Sequence, residues 1–387
     1  MKKKSFIEQQ MKLNKLLCAA CSLFVPAQAS SIYTFFRQCD FETDCEKLVV
    51  SDFCFLLCDT KEGIVAAKDT RQQPLFADFD NVFTTQTTQT TQTTQTTVPW
   101  GLDRVNQRKL PLDNFYSVPL YAASPPFPVV YLFDTGVKEK HSEFEWTWPN
   151  AGRSGKRVRN KFNLVSEEEE DDLNGHGTHV AGTIAGKNVG INPFARVLGV
   201  KVADENGSAL ASSILRGLGG ALEHAEKQNR TGVFSLSLSG DRNSAVEALL
   251  KKIGEKHIVV VAAGNRAKDA CGFSPAAVGG NANLSSIFTV GATNKFDKFA
   301  AFSNHGKCVD ILAPGTSIVS ADVSGGYTEM SGTSMAVPHV SGVASLFLKK
   351  HGDDLRGAVA ELVRTVSLPA IENLPAQTTK NLVKTPC

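Results

Sequence analysis

Downstream of residue 98 the chain is punctuated by short runs of Val, Ile and Leu: Val129 to Phe133, Val197 to Val202, Val233 to Leu238, Ile258 to Ala263 and Ile287 to Val290. Each is apolar at successive positions, so each strand is expected to be buried on both faces, as in a parallel sheet covered on both sides. Between them Ser212 to Gln228 and Ser244 to Lys256 carry apolar residues at helical spacing. The order strand, helix, strand predicts an α/β fold, a parallel β-sheet flanked by helices on both faces.

The pattern changes upstream. Residues 84–97 are a Thr-Thr-Gln repeat with no apolar side chain, and such a stretch cannot bury surface to offset the entropy of ordering it. It reads as a low-complexity linker and a processing region. Residues 30–83 hold apolar stretches such as Leu48 to Val50 and Phe53 to Leu57, enough for a few strands but little core. Before them Lys2, Lys3, Lys4, Lys12 and Lys15 precede the apolar run Leu16 to Val25 and then Ala27-Gln28-Ala29, the form of a secretory signal cleaved after Ala29. That run is too short to span a bilayer, and no later one approaches the roughly 20 residues needed. The expected organisation is signal peptide 1–29, small domain 30–83, linker 84–97 and main domain 98–387. The expected destination is outside the cell, with no membrane attachment.

Composition adds an exclusion. Of 387 residues 41 are Lys or Arg and 39 are Asp or Glu, a net charge of +2, which gives no electrostatic reason to expect nucleic acid or an anionic membrane as partner. The nine cysteines suit an exported chain that forms disulfides. A zinc site among Cys39, Cys45, Cys54 and Cys58 is disfavoured, since no paired CxxC spacing occurs.

Polar residues that abruptly end an apolar strand lie where α/β sheets gather catalytic groups. Asp134 closes Val-Val-Tyr-Leu-Phe, and Asn265 closes Val-Val-Val-Ala-Ala-Gly. His176 lies in Asn-Gly-His-Gly-Thr-His-Val-Ala-Gly, where glycines permit a tight turn. Ser334 lies in Ser-Gly-Thr-Ser-Met-Ala-Val-Pro-His-Val-Ser-Gly, a glycine turn opening a helix of small residues. At that helix start, orphan N–H groups and the positive dipole end favour an oxyanion. A serine hydroxyl becomes a nucleophile when a neutral imidazole takes its proton and a carboxylate orients that imidazole. Asp134, His176 and Ser334 fill these roles, and the Asn265 amide can donate to the oxyanion. His179, one helical turn after His176, is assigned to packing, since no HExxH pattern accompanies it.

Asp-Thr-Gly, His-Gly-Thr-His-Val-Ala-Gly, Ala-Ala-Gly-Asn and Gly-Thr-Ser-Met-Ala-x-Pro-His-Val resemble the motifs of the subtilisin-like serine proteases, and Pro99 to Arg104 and His141 to Phe144 are most similar to the proteinase K branch. The resemblance covers about Pro99 to the C-terminus. It implies a secreted, monomeric serine endopeptidase acting on proteins and peptides through an acyl-enzyme on Ser334, with no cofactor required for catalysis. It implies that Ser237, Leu238, Ser239 and Gly240 pair with an extended substrate backbone, with Gly207 on the opposing strand. Ala262, Ala263, Gly264 and Phe273 would line the pocket before the scissile bond, with an apolar or aromatic preference. Two departures stand out: Ser239 occupies a position that is usually glycine, and Ala211 replaces a bulky aromatic, opening an outer apolar pocket. Cys271 and Cys308 match a disulfide, and Asp310 matches a carboxylate that holds structural calcium. Residues 30–83 would be a short, degenerate α+β propeptide acting as an intramolecular inhibitor, with self-cleavage between Phe83 and Val98. The acidic run Glu167 to Asp172 is read as a solvated loop. The rival reading, prompted by Ser239 and the short propeptide, is a catalytically impaired binding or regulatory module on the same fold. The intact triad and Asn265 weigh against it.

Overall fold

The computed structural model describes residues 31–36, 45–50, 53–58, 76–87, 89–93, 97–146, 155–280 and 286–386. Four strands come first: β1 Ser31–Phe36, β2 Glu46–Val50, β3 Phe53–Cys58 and β4 Phe76–Phe79. They form an antiparallel sheet in the order β2-β3-β1-β4. In so small a unit the core is thin, and a Cys45–Cys58 disulfide with Cα atoms 4.5 Å apart staples β2 to β3 at the end of their register. Residues 59–75, the segment 1–29 read above as a signal, and Cys387 lie outside the described residues.

The stretch 84–97, expected as a linker, carries regular structure in part. Strands β5 Val82–Thr85 and β6 Gln89–Thr93 run through this stretch. A repeat without apolar residues can still be held when its main chain completes the hydrogen bonding of other strands, a route that composition does not report.

The main domain follows with α1 Trp100–Asn106, β7 Val129–Asp134, β8 Val158–Asn163, α2 His176–Ala185, β9 Arg196–Lys201, β10 Ser208–Leu210 and α3 Ala211–Gln228. Then come β11 Val233–Leu236, β12 Leu238–Asp241, α4 Ser244–Gly254, β13 Ile258–Ala262, β14 Phe273–Ser274 and β15 Ile287–Thr293. The chain closes with β16 Ile311–Pro314, β17 Ile318–Ala321, β18 Tyr327–Ser331, α5 Thr333–Lys350 and α6 Leu355–Thr365. Seven strands make one parallel sheet in the order β16-β15-β13-β11-β7-β9-β8.

Alternation within each buried strand sorts the core into two layers. Val130, Leu132, Val260 and Ala262 join α2 and α5 through Val180, Val340 and Ala344. Tyr131, Phe133, Val259 and Val261 face the other way, onto Leu215 and Leu218 of α3 and Leu249 and Ile253 of α4. Successive side chains of a strand point to opposite faces, so a doubly apolar strand needs helices on both. Helix α5 is buried from Thr333 to Leu348, which suits a segment made almost wholly of small and apolar residues.

The N-terminal sheet shares the α3/α4 layer: Ile32, Val50, Phe55 and Leu57 belong to the same cluster. Asp78 accepts from the Ala245 N–H at 3.0 Å, and Asp80 accepts from the Ser212 N–H and hydroxyl, both at 2.7 Å. Two carboxylates thus sit at the N-termini of α4 and α3, where orphan donors and the helix dipole favour them. Among the described residues no helix is long and apolar enough to cross a membrane.

Candidate active site

Asp134 is the last residue of β7, and His176 is the first of α2. Helix and strand end meet closely because residue 177 is glycine: a Cβ there would lie 2.0 Å from the Gly136 carbonyl oxygen. Gly175 precedes the helix with φ +101°, a left-handed conformation that suits glycine. The result is a 2.6 Å contact between His176 Nδ1 and Asp134 Oδ1, both residues buried. Asp134 Oδ1 also accepts from the Thr135 N–H at 2.9 Å.

Asp172 ties this corner together. Its Oδ1 accepts from the Thr135 hydroxyl at 2.8 Å, the Gly175 N–H at 2.8 Å and the Asn174 N–H at 3.1 Å. Its Oδ2 accepts from the Thr178 N–H at 2.8 Å and the Thr178 hydroxyl at 2.6 Å. Thr135 Oγ1 in turn accepts from the Gly177 N–H at 2.9 Å. Reading the whole acidic run as a solvated loop is therefore wrong at its last residue, which is buried. The available signal was an aspartate four residues before the catalytic-type histidine, at a helix start rich in unpaired N–H groups.

Ser334 is the second residue of α5 and is fully buried. Its hydroxyl donates to the Ser237 carbonyl at 2.8 Å. His176 Nε2 is buried and has no hydrogen-bond partner among the described residues. The aspartate and histidine are joined, then, while the serine hydroxyl is turned toward β12. Asn265 Oδ1 accepts from the Thr333 N–H at 2.9 Å and the Thr333 hydroxyl at 2.8 Å, which fixes the amide. Its Nδ2 is left buried and unpartnered among the described residues, and a Cβ on Gly332 would lie 3.0 Å from it. His179 lies beneath, with Nε2 2.9 Å from the Ile318 carbonyl oxygen, and burial lowers its pKa to about 3.

The chain's own Thr-Thr-Gln segment occupies this site. Strand β5 is sandwiched between β12 and β10: Thr85 pairs with Leu238, Thr84 with Ser239 and Ser208, and Phe83 with Gly240 and Ala209. The Thr85 N–H donates to the Gly207 carbonyl at 2.9 Å. Phe83 is fully buried, and a Cβ on Gly240 would lie 3.0 Å from its ring. Phe83 and Ala211 belong to one buried apolar cluster. At Gln86 the backbone N–H donates to Ser334 Oγ at 2.8 Å and to the Ser237 carbonyl at 3.3 Å, and the carbonyl accepts from the Ser334 N–H at 3.3 Å. A Cβ on Gly332 would lie 1.9 Å from that Gln86 oxygen. The chain leaves along β6, which pairs antiparallel with β18. Gln86 therefore presents its carbonyl to Ser334, and Gln86–Thr87 is the peptide bond at the centre of the cleft.

Ala262, Ala263 and Gly264 are buried. The side chain in front of the central bond, however, is glutamine rather than the expected apolar or aromatic residue. Its Oε1 accepts from the Asn265 N–H at 3.1 Å. Phe273 pairs with Asp241 across β12 and β14, and its ring carries the Arg266 guanidinium 4.8 Å from the centroid.

Cys271 and Cys308 are joined with Cα atoms 5.4 Å apart. At the position expected to hold calcium, the Asp310 carboxylate accepts from the Gly280 and Thr289 N–H groups, both at 2.9 Å. Burial raises its pKa to about 6. Among the described residues no group of three or more His, Cys, Asp or Glu side chains could hold a metal ion. Residues 281–285 lie outside the described set.

Residues 128–382 match the family model described as the subtilase family. Among curated relatives, the chain is 36% identical over 299 residues to "Alkaline serine exoprotease A" of Vibrio alginolyticus, covering 76% of this chain and 52% of that protein. It is 38% identical over 287 residues to "Extracellular serine proteinase" of Thermus sp. strain Rt41A, covering 73% and 65%. To "Proteinase T" of Parengyodontium album it is 35% identical over 288 residues, covering 74% and 92%. The chain thus spans about half to two thirds of the first two relatives. A crystal structure of a cold adapted subtilisin-like serine proteinase superposes with TM-score 0.66 at 35% identity, over 76% of this chain and 100% of that one.

Proposed function

The chain belongs to the subtilase family, and on that footing we propose that it is a secreted serine endopeptidase of the proteinase K branch with Asp134, His176 and Ser334 as its catalytic triad. One observation carries the reading: the Gln86 carbonyl accepts from the Ser334 N–H while the flanking strands β5 and β6 thread the cleft as a substrate would. On this reading residues 1–29 are a signal peptide, 30–83 a propeptide that inhibits in cis, 84–97 the processing segment and 98–387 the catalytic domain, which acts as a monomer.

The steps follow from the groups in place. The Ser334 hydroxyl leaves the Ser237 carbonyl for His176 Nε2, which takes its proton as Oγ attacks the carbonyl carbon of the residue before the scissile bond. Negative charge on the carbonyl oxygen is met by the Ser334 N–H and the unpartnered Asn265 Nδ2. The His176 imidazolium, held by Asp134, gives its proton to the leaving amine. The peptide C–N bond breaks, an acyl-enzyme remains on Ser334, and water attacks it by the reverse proton route. Main-chain pairing with β12 and β10 supports acceptance of many sequences.

The test compares the protein with its Ser334→Ala variant, using casein hydrolysis and the mass of the secreted chain. The native protein is expected to degrade casein and to lose the segment before Thr87, whereas Ser334→Ala does neither. Equal behaviour of the two would sink the enzymatic reading.

A further inference from the structure

We propose that the Thr-Thr-Gln triplet is itself the unit this cleft reads, so that the enzyme cuts after glutamine in extended, threonine-flanked segments, with its own repeat as the first substrate. The inference rests on the peptidase reading above and adds to it the identity of the preferred sequence.

Three observations carry it. First, the Gln86 side-chain amide is buried and well partnered: Oε1 takes the Asn265 backbone N–H at 3.1 Å, and Nε2 gives to the Thr84 carbonyl at 2.8 Å, to Thr84 Oγ1 at 3.1 Å and to the Thr85 carbonyl at 3.3 Å. The triplet folds its glutamine over its own first threonine, and the enzyme supplies the one remaining donor. An apolar side chain would leave the Asn265 N–H unmet. A glutamate would set its second oxygen against the oxygens of Thr84. An unmet buried group of this kind is worth about tenfold to a hundredfold in selectivity.

Second, the slot itself departs from an open apolar one. A Cβ on Gly264 would lie 3.1 Å from the Ser239 hydroxyl, so that hydroxyl stands against the facing wall where a glycine would leave space. Ser239 is in this sense a specificity-determining residue, since it takes up room that a ring would need and leaves a slot suited to a side chain that turns back on its own strand.

Third, the repeat presents the same triplet again. Gln86, Gln89 and Gln92 each follow Thr-Thr and precede Thr-Thr, and Gln95 follows the same pair. They differ in the residue three positions before: Phe83 for Gln86, but glutamine for the others. Phe83 is fully buried between β10 and β12, and a glutamine there would place an amide in an apolar cluster. Phe83 thus fixes the register in which Gln86–Thr87 is cut first. The later Gln–Thr bonds lack this anchor and are cut more slowly, giving successive N-termini at Thr87, Thr90, Thr93 and Thr96.

The test uses processed enzyme and three synthetic hexapeptides: Phe-Thr-Thr-Gln-Thr-Thr, and the same peptide with phenylalanine or with glutamate in place of glutamine. The glutamine peptide is expected to show a kcat/KM at least about tenfold above both others, and Ser239→Gly is expected to raise the phenylalanine peptide relative to it. A phenylalanine peptide cut as fast or faster would overturn the proposal while leaving the peptidase reading intact. Absence of any Ser334-dependent cleavage, of casein included, would overturn that reading instead. Register is tested in the full chain by exchanging the anchor, Phe83→Gln with Gln86→Phe, and identifying the first new N-terminus by mass spectrometry. A first terminus at Thr90 is expected, and one that stays at Thr87 would refute the anchor.

Discussion

Replacing Asp172 by alanine removes no group that touches the central peptide bond, yet it should damage catalysis through the positions of Asp134 and His176. The carboxylate accepts five hydrogen bonds, from Thr135 Oγ1 and from the Asn174, Gly175 and Thr178 backbone and the Thr178 hydroxyl. Alanine leaves the buried Gly175 and Thr178 N–H groups without an acceptor, at about 1–3 kcal/mol each. The expected loss of stability is therefore roughly 2–6 kcal/mol, toward the lower end where water enters. The Thr135 hydroxyl is freed as well, loosening its contact with the Gly177 N–H and with it the 2.6 Å approach of His176 to Asp134. Strands β10 and β12, which pair with β5, are untouched. Peptide kinetics should consequently show kcat falling by about tenfold to a hundredfold, as small misplacements of catalytic groups do, with KM changed little. Asp172→Asn, which keeps one acceptor oxygen, should recover part of the loss. An alanine variant with native kcat would refute the positioning role.

Two further outcomes follow from buried groups. His179, His257 and His339 have pKa values lowered by burial from 6.5 to about 3, 4 and 4, so the unfolded chain takes up protons below pH 6.5 that the folded one refuses, and stability is lost as pH falls from about 6.5 toward 4. Each histidine contributes up to about 1.4 kcal/mol per pH unit. Asp310, raised to about 6, acts in the opposite sense between about pH 4 and 6. Urea unfolding at stepped pH should show a shallower acid-side slope in His257→Gln, and parallel curves would contradict the assignment. Replacing both Cys271 and Cys308 by serine opens a 37-residue separation and should cost roughly 4 kcal/mol by the chain-entropy relation. An unchanged urea midpoint would show that the loop is held by other means.

Legibility in the sequence followed burial. The five strands with apolar runs, β7, β9, β11, β13 and β15, were readable because both their faces pack on helices. The two edge strands were not: β8 reads Val-Arg-Asn-Lys-Phe-Asn and is only partly buried, and β16 is four residues long. The four polar positions at strand ends and helix starts were legible from local motif chemistry, and so was the Cys271–Cys308 pair, from resemblance. What composition concealed was the role of Asp172, whose partners are mostly backbone N–H groups, and of Gln86, which sits in a repeat chosen for neither apolarity nor charge. Main-chain pairing leaves little trace in side-chain pattern, so a threonine-rich strand and a free linker look alike until the partner edges are known.

The same main-chain pairing governs the fate of the repeat after the first cut. Before it, β5 and β6 are one chain, tethered at both ends to units that are themselves folded. On the proposed reading, once the Gln86–Thr87 bond breaks, β5 stays joined to the N-terminal sheet, while β6 stays joined to the main domain through the residues before Trp100. A segment tethered this closely has a high effective concentration at its own site. Strand β6 can therefore keep competing for the β18 edge after the N-terminal sheet has left, and the new tail remains an internal occupant of half the cleft. Removing it by ordinary specificity would require a sequence the cleft accepts, and a tail built from further Thr-Thr-Gln triplets supplies one at every third residue. On this view the repeat is the form an activation segment takes when the peptidase that must clear it reads glutamine after two threonines.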